Sequence, residues 1–178
     1  MLARAGLKIK QVWGLFHVMS DVTLRDFEPA DAGWLVDRHA ELYARDEGFD
    51  ESFGPLVAGI LSDFVAGHDP ACERGWIAVQ GEFRLGSIFC VRSSGRTAKL
   101  RLFLLVPEAR GTGVGKRLLQ RCMGFARAAG YHDMELWTHE SHRAACALYR
   151  AAGWRLVDSK PVHSFGVDLV EQSWRIDL

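Results

Sequence analysis

The sequence predicts an α/β (α+β) fold: a single domain whose mixed, mostly antiparallel central sheet is flanked by helices. Three observations carry that expectation. The chain has 178 residues, 48% hydrophobic and 25% charged, which suits one compact core with no disordered bulk. Strand-like alternation and helix-like periodicity succeed one another in the order β-α-α-β-β-β-α-β-α-β-β. Runs of hairpin strands, which pair antiparallel, are mixed with crossover helices, which join parallel strands.

VTLRDF (22–27) alternates apolar and polar residues, as a half-buried strand does. Pro29, Ala30 and Asp31 then open a helix near 31–45, with Trp34, Leu35, His39 and Leu42 on one stripe. After the polar loop RDEGFDESFG, a second helix is expected over 53–66, where Leu56, Val57, Ile60, Leu61 and Phe64 keep helical spacing and GHDP ends it. WIAVQGEFRLGSIFCVR is a hairpin turning around Gln80-Gly81. KLRLFLLV (99–106) is a long strand that stops at Pro107. Val114 to Ala129 is a helix with Leu118, Leu119, Cys122 and Phe125 inward, closed by Gly130. MELWTH (134–139) is a strand, SHRAACALYRAAG (141–153) a helix stopped by glycine, and WRLVDSK and DLVEQSWRIDL are the last two strands. Residues 1–20 stand apart as an N-terminal extension to a domain over 21–178. Their short apolar patch is interrupted by Gly14 and His17 and lacks a signal-peptide cleavage site, and Met19-Ser20-Asp21 offers an alternative start.

The totals exclude several classes of function. Lys plus Arg and Asp plus Glu both count 22, so the chain lacks the basic excess of a nucleic-acid binder. No apolar run approaches the roughly 20 residues that span a bilayer. Cys72, Cys90, Cys122 and Cys146 are scattered without a CxxC pair, so neither a disulfide framework nor a zinc cage is expected, and a reducing cytoplasm suits them. His139-Glu140-Ser141-His142 falls one residue short of the HExxH spacing that puts two histidines on one helix face, so no metal is expected there.

The chemistry concentrates in VPEARGTGVGKRLLQRC (106–122), where a strand ends in a glycine-rich turn and a helix begins. Such a turn gathers unpaired backbone N–H groups at the positive end of a helix dipole, a place for phosphate. A nucleotide P-loop would need glycine at 110 and Ser or Thr at 117, where Arg110 and Arg117 stand. A dinucleotide turn beginning at Gly111 and Gly113 would need its third glycine at 116, which is Lys116. Arg110-Gly-Thr-Gly-Val-Gly does match an [RQ]xxGx[GA] turn, and with LLVP before it and ALYRAAGW (147–154) after it the chain resembles the GNAT-type N-acetyltransferase superfamily. HAELYARDEGFDESF, the central turn and HSFGVDLVEQSW more narrowly resemble the acetyltransferase half of bacterial fusions with a MarR-type regulator, although no winged-helix segment is present.

That resemblance implies a GNAT-like sheet, acetyl-CoA as acetyl donor with no metal, and a primary amine, favoured as a small molecule, as acceptor. It places cofactor binding at Leu105, Val106, Arg110, Gly111, Thr112, Gly113, Val114, Gly115, Lys116 and His142. Tyr149 is implied as the catalytic group that protonates the leaving thiolate. His39, Tyr43 and His163 are implied at the amine's entrance, where Asp46, Glu47, Asp50 and Glu51 add acidity that attracts a cation. A homodimer is also in keeping with the family. Two departures stand against the pattern: many relatives carry a glutamate base in the long central strand, yet Lys99 to Val106 contains no acid and does contain Arg101, and His142 stands where many relatives have an asparagine that touches pantetheine. Glu41, Glu47, Glu140 and His163 are the alternative bases by residue type. The rival reading is a non-catalytic acyl-CoA sensor that kept the turn and lost the chemistry.

Overall fold

The protein is described by a computed structural model over residues 21–178; the extension expected over 1–20, with its alternative start, lies outside the described residues. Strand β1 (Thr23–Asp26) leads through a short 3-10 turn into helices α1 (Ala32–Glu47) and α2 (Phe53–Gly67). Strands β2 (Arg74–Gln80), β3 (Phe83–Ser94) and β4 (Thr97–Leu105) follow as a meander. Helix α3 (Val114–Ala128), β5 (Asp133–His139), α4 (Arg143–Ala151), β6 (Arg155–Ser164) and β7 (Val167–Asp177) complete the chain, in the order expected.

All seven strands form one sheet in the order β1-β2-β3-β4-β5-β7-β6. Every neighbouring pair is antiparallel except β4 and β5. The exception follows from connectivity, because α3 crosses over between those two strands and a crossover returns parallel. Two apolar cores result, one per face. Helices α1 and α2 bury Leu35, Val57, Leu61 and Phe64 against Ile77 and Phe89. On the other face α3 and α4 pack Leu118, Leu119, Cys122 and Cys146 against Ile88, Leu100, Met134, Leu136 and Trp174. Each such side chain, fully removed from water, contributes about 2 kcal/mol.

One buried charge holds the α1 end of this arrangement. Asp31 is 1% exposed, and its carboxylate accepts two hydrogen bonds of 2.7 Å from Arg25, one of 2.7 Å from Arg84 Nε and one of 3.0 Å from the Glu28 amide. Burial works to raise its pKa, but those donors outweigh it and hold the carboxyl down at about 2.

The feature that positions the site is a break in the sheet. Strands β4 and β5 pair only through Thr97–Lys99 against Asp133–Glu135, although both run further. Just beyond, β4 carries a bulge: Leu104 faces Ser87 and Arg101 faces Phe89, so β4 spends one residue more than β3 between them. Leu102 sits in the bulge at φ 48°, and the Ser87 hydroxyl donates to its carbonyl at 2.7 Å. A leucine in the left-handed region is strained by roughly 1 kcal/mol or more. The bulge bends β4 away from β5, and a gap opens between two parallel strands. At the far edge, β6 runs further than the sequence suggested, through Pro161 to Ser164. Proline is tolerated there because an edge strand has one row of N–H groups without a ladder partner. The β6–β7 turn then passes through Phe165 and Gly166, both at positive φ.

Candidate active site

A cavity of about 620 Å³ occupies the gap. It passes through the sheet: Leu42, Tyr43, Asp46 and Glu47 of α1 line one side, while Lys116 of α3 and Ala145 and Leu148 of α4 line the other. Phe103, Leu104 and Leu105 form its strand wall.

At the α3 end, Gly111 (φ 75°) and Gly113 (φ 88°) take conformations that other residues adopt only under strain. Gly113 precedes the first turn of α3, whose first intrahelical bond runs from Arg117 N to the Gly113 carbonyl at 3.1 Å. The amides of Val114, Gly115 and Lys116 therefore have no partner inside the helix and point at the cavity end. A Cβ at Gly111 or Gly113 would meet nothing within 4 Å, so the space beside the turn is open to a ligand. A diphosphate fits this donor set, and the Lys116 and Arg143 side chains on the wall add positive charge. Gly115 has the opposite reason for being glycine: a Cβ would stand 3.0 Å from Leu105 Cδ1, so it lets α3 approach β4.

The ten sequence-derived cofactor residues divide into two groups. Leu105, Arg110, Gly111, Gly113, Gly115, Lys116 and His142 line the cavity. Val106, Thr112 and Val114 support it from behind. The Val106 amide is engaged with the Leu85 carbonyl at 2.9 Å, the Thr112 hydroxyl with the Ala109 carbonyl at 2.7 Å, and Val114 is buried in the core. Because successive strand amides point in opposite directions, the engagement of Val106 toward β3 turns the Leu105 amide into the gap.

Of the entrance residues, Tyr43 lines the cavity, with its phenol raised to about 12 by burial and the Glu47 charge. His39 does not line it: it is 2% exposed, Nδ1 donates to the Leu35 carbonyl at 2.8 Å, and its ring lies in the aromatic packing with Tyr43 and Phe53. Burial lowers its pKa to about 4. His163 is exposed on β6, where Nδ1 meets Asp168 at 2.7 Å across the hairpin. The acidic cluster is also less free than its composition implied. Asp46 is held by Arg45 at 2.7 Å and by Arg110 at 3.0 Å, and Asp50 accepts from Ser52. Glu47 is the cavity-wall carboxylate left facing an imidazole, with Oε1 3.3 Å from His142 Nε2.

His142 also meets the Thr138 hydroxyl at 3.2 Å and stands edge-on to Tyr43, with ring centres 5.2 Å apart. Burial first, and then Arg110, lower its pKa against the pull of Glu47, so the ring favours its neutral form. Tyr149 is 3% exposed, one residue after the cavity-lining Leu148, with its ring centre 6.2 Å from that of Phe103. Burial pushes its phenol far up, helped by Tyr43, so it keeps its proton at any ordinary pH. Sequence reasoning missed Leu42, Phe103, Ser141 and Arg143. Arg143 follows His142 in the opening turn of α4 and was within reach of the motif; the apolar residues carried no signal beyond their place in strands and helices.

A sheet parted between two parallel strands, with a glycine-started helix at one end of the gap and a buried tyrosine beside it, is the architecture of the acetyltransferase fold. The sequence profile of the acetyltransferase (GNAT) family matches residues 33–154, well over half of the chain, and the chain belongs to that family. Solved structures agree in fold. A phosphinothricin acetyltransferase of Sinorhizobium meliloti, solved with acetyl-CoA, superposes with a TM-score of 0.74 at 24% identity, covering 88% of each chain. The Salmonella typhimurium protein yncA, solved with its cofactor acetyl-CoA, gives 0.69 at 18% identity over 89% of this chain and 94% of its own. A spermidine N-acetyltransferase chimera of Vibrio cholerae and human sequence gives 0.68 at 21% identity over 89% and 96%. A search of curated proteins finds no match. Among the described residues no helix is long and apolar enough to cross a membrane, and no group of three or more metal-binding side chains is found.

Proposed function

We propose that the protein transfers an acetyl group from acetyl-CoA to the primary amine of a small molecule. The observation that carries this is the cavity passing through the sheet, with the anion-binding turn and α4 on one side and Tyr43 and Glu47 of α1 on the other. A carrier and an acceptor can then meet at the β4 bulge from opposite faces. Relatives named for phosphinothricin and spermidine support a small acceptor.

Acetyl-CoA supplies the thioester. The amides at the start of α3, with Lys116 and Arg143, would hold its diphosphate, and His142 would contact the pantetheine arm. The Leu105 amide, aimed into the gap, would donate to the carbonyl oxygen as negative charge grows there. Glu47 would draw in the acceptor's ammonium and take its proton, directly or through His142. Tyr149 would give its proton to the departing sulfur, the role suited to a phenol whose ionised form is so disfavoured. The four cysteines are all free and buried, in keeping with a reducing cytoplasm. The closer likeness to regulator-linked acetyltransferases rests on the quoted segments alone.

Thiol release from acetyl-CoA across an amine panel tests the reading. Tyr149→Phe should lower kcat by about 100-fold while leaving the KM for acetyl-CoA nearly unchanged. CoA binding by calorimetry without turnover on any amine would replace catalysis with acyl-CoA sensing.

A further inference from the structure

The face of the sheet on the α1 side carries two cations that, among the described residues, form no ion pair. Lys99 is the last β4 residue paired with β5, and Arg101 follows two positions later on the same face, opposite Phe89 and immediately before the bulge. Both are half-buried. Among the described residues neither has a carboxylate within ion-pair distance. The carboxylates nearby are already engaged: Glu135 accepts from the Ser93 hydroxyl, and Glu171 lies 3.3 Å from Lys160. Lys99 Nζ instead lies 3.3 Å from the ring centre of Trp137, itself 59% exposed on the facing strand. Burial and the Arg101 charge push the Lys99 ammonium down against the pull of Glu135 and Glu171, so the two cations repel in partial shelter from water. Among the described residues the guanidinium of Arg101 makes no ion pair and stacks on no aromatic ring.

Position gives the pair its meaning. It stands where β4 and β5 part, two residues before Phe103 on the cavity wall and just outside the cavity's own lining. It is also on the α1 face, the side from which an acceptor would approach. Resting on the acetyl-transfer reading, we propose that Arg101, assisted by Lys99, binds an anionic oxygen group of the acceptor, so that the substrate is an amine bearing a carboxylate rather than a polyamine or simple alkylamine. A planar guanidinium with a free fork is suited to such a group. Glu47 across the cavity would take the ammonium end, which gives a zwitterion two opposite anchors.

The experiment compares matched pairs: free amino acids, ω-amino acids and aminoalkylphosphonates against their carboxamides or uncharged esters. With acetyl-CoA saturating, the anionic member of at least one pair should show kcat/KM at least tenfold higher than its neutral partner. Arg101→Gln should collapse that ratio toward one, and Arg101→Lys should restore part of it. Equal kcat/KM within every pair, or a ratio untouched by Arg101→Gln, overturns the inference while the transferase reading stands. Should no amine be acetylated, calorimetry of the CoA-loaded protein with the same acids decides it. Binding that disappears in Arg101→Gln upholds the anion site without catalysis, and no binding of any acid overturns it.

Discussion

Two charge clusters on this sheet answer the same electrostatic problem in opposite ways. Around Asp31 every group is matched: a carboxylate shut away from water receives Arg25, Arg84 and a backbone amide at 2.7–3.0 Å. At the parting of β4 and β5, Lys99 and Arg101 share partial shelter and, among the described residues, neither is in an ion pair. A buried ion cluster that is complete serves the fold, because removing one member leaves the others uncompensated. An incomplete one works against the folded state and makes sense where a ligand completes it. The difference separates structure from function more clearly than residue type does, since all five side chains are ordinary Asp, Arg and Lys.

Removing the carboxylate should give the largest effect. Asp31→Ala leaves two half-buried guanidiniums facing each other, and unfolding free energy should fall by about 4 kcal/mol in urea titration. A loss below about 1 kcal/mol would mean the cluster is solvated and the contrast unfounded.

Acid titration comes next and separates the packed histidine from the site. The folded pKa of His39 is lowered to about 4 while the unfolded chain binds its proton near 6.5, so its contribution is fully present above pH 6.5 and lost on the way down to 4. The loss is on the order of 3 kcal/mol. His39→Leu should flatten that limb, with the smaller slope left to His139 and His142, whose values are also lowered. Asp31 acts in a lower window: its depressed pKa contributes stability above about pH 4 that disappears as pH falls toward 2.

Gly113→Val should act on the ligand more than on the fold. The Cβ meets nothing within 4 Å, so the strain comes from φ 88° alone, and the turn should relax out of shape. Acetyl-CoA affinity should drop about tenfold by calorimetry, with about 1–2 kcal/mol of lost stability. The smallest effect is the sharpest for the comparison. Arg101→Gln should change stability by no more than about 0.5 kcal/mol, or raise it slightly by relieving Lys99. A destabilisation comparable to that of Asp31→Ala would show that Arg101 serves the fold after all.

The order of elements was readable because period and punctuation are local. The stripe Leu56, Val57, Ile60, Leu61 and Phe64 could only be a helix face, and Gly130 could only be a stop. The glycine turn was readable for the same reason: its glycines, their positive φ and the helix start occupy one short stretch. Hairpin ends were less so, as Pro161 hid the true length of β6 until the strand was seen to lie at an edge.

The chain by itself settled the strands, the helices and the glycine turn before α3, since each depends on neighbours a few residues away. Only the tertiary structure decided which side chains face the cavity. His39 and Tyr43 share a helix face four residues apart and both pack on Phe53, yet His39 is turned onto the Leu35 carbonyl and buried while Tyr43 also borders the gap between β4 and β5. The partnering of Arg101 was likewise invisible, because whether a charge is matched depends on atoms brought together from distant strands. Periodicity reports what a residue's own element prefers; the sheet's order and its one bulge determine what stands opposite.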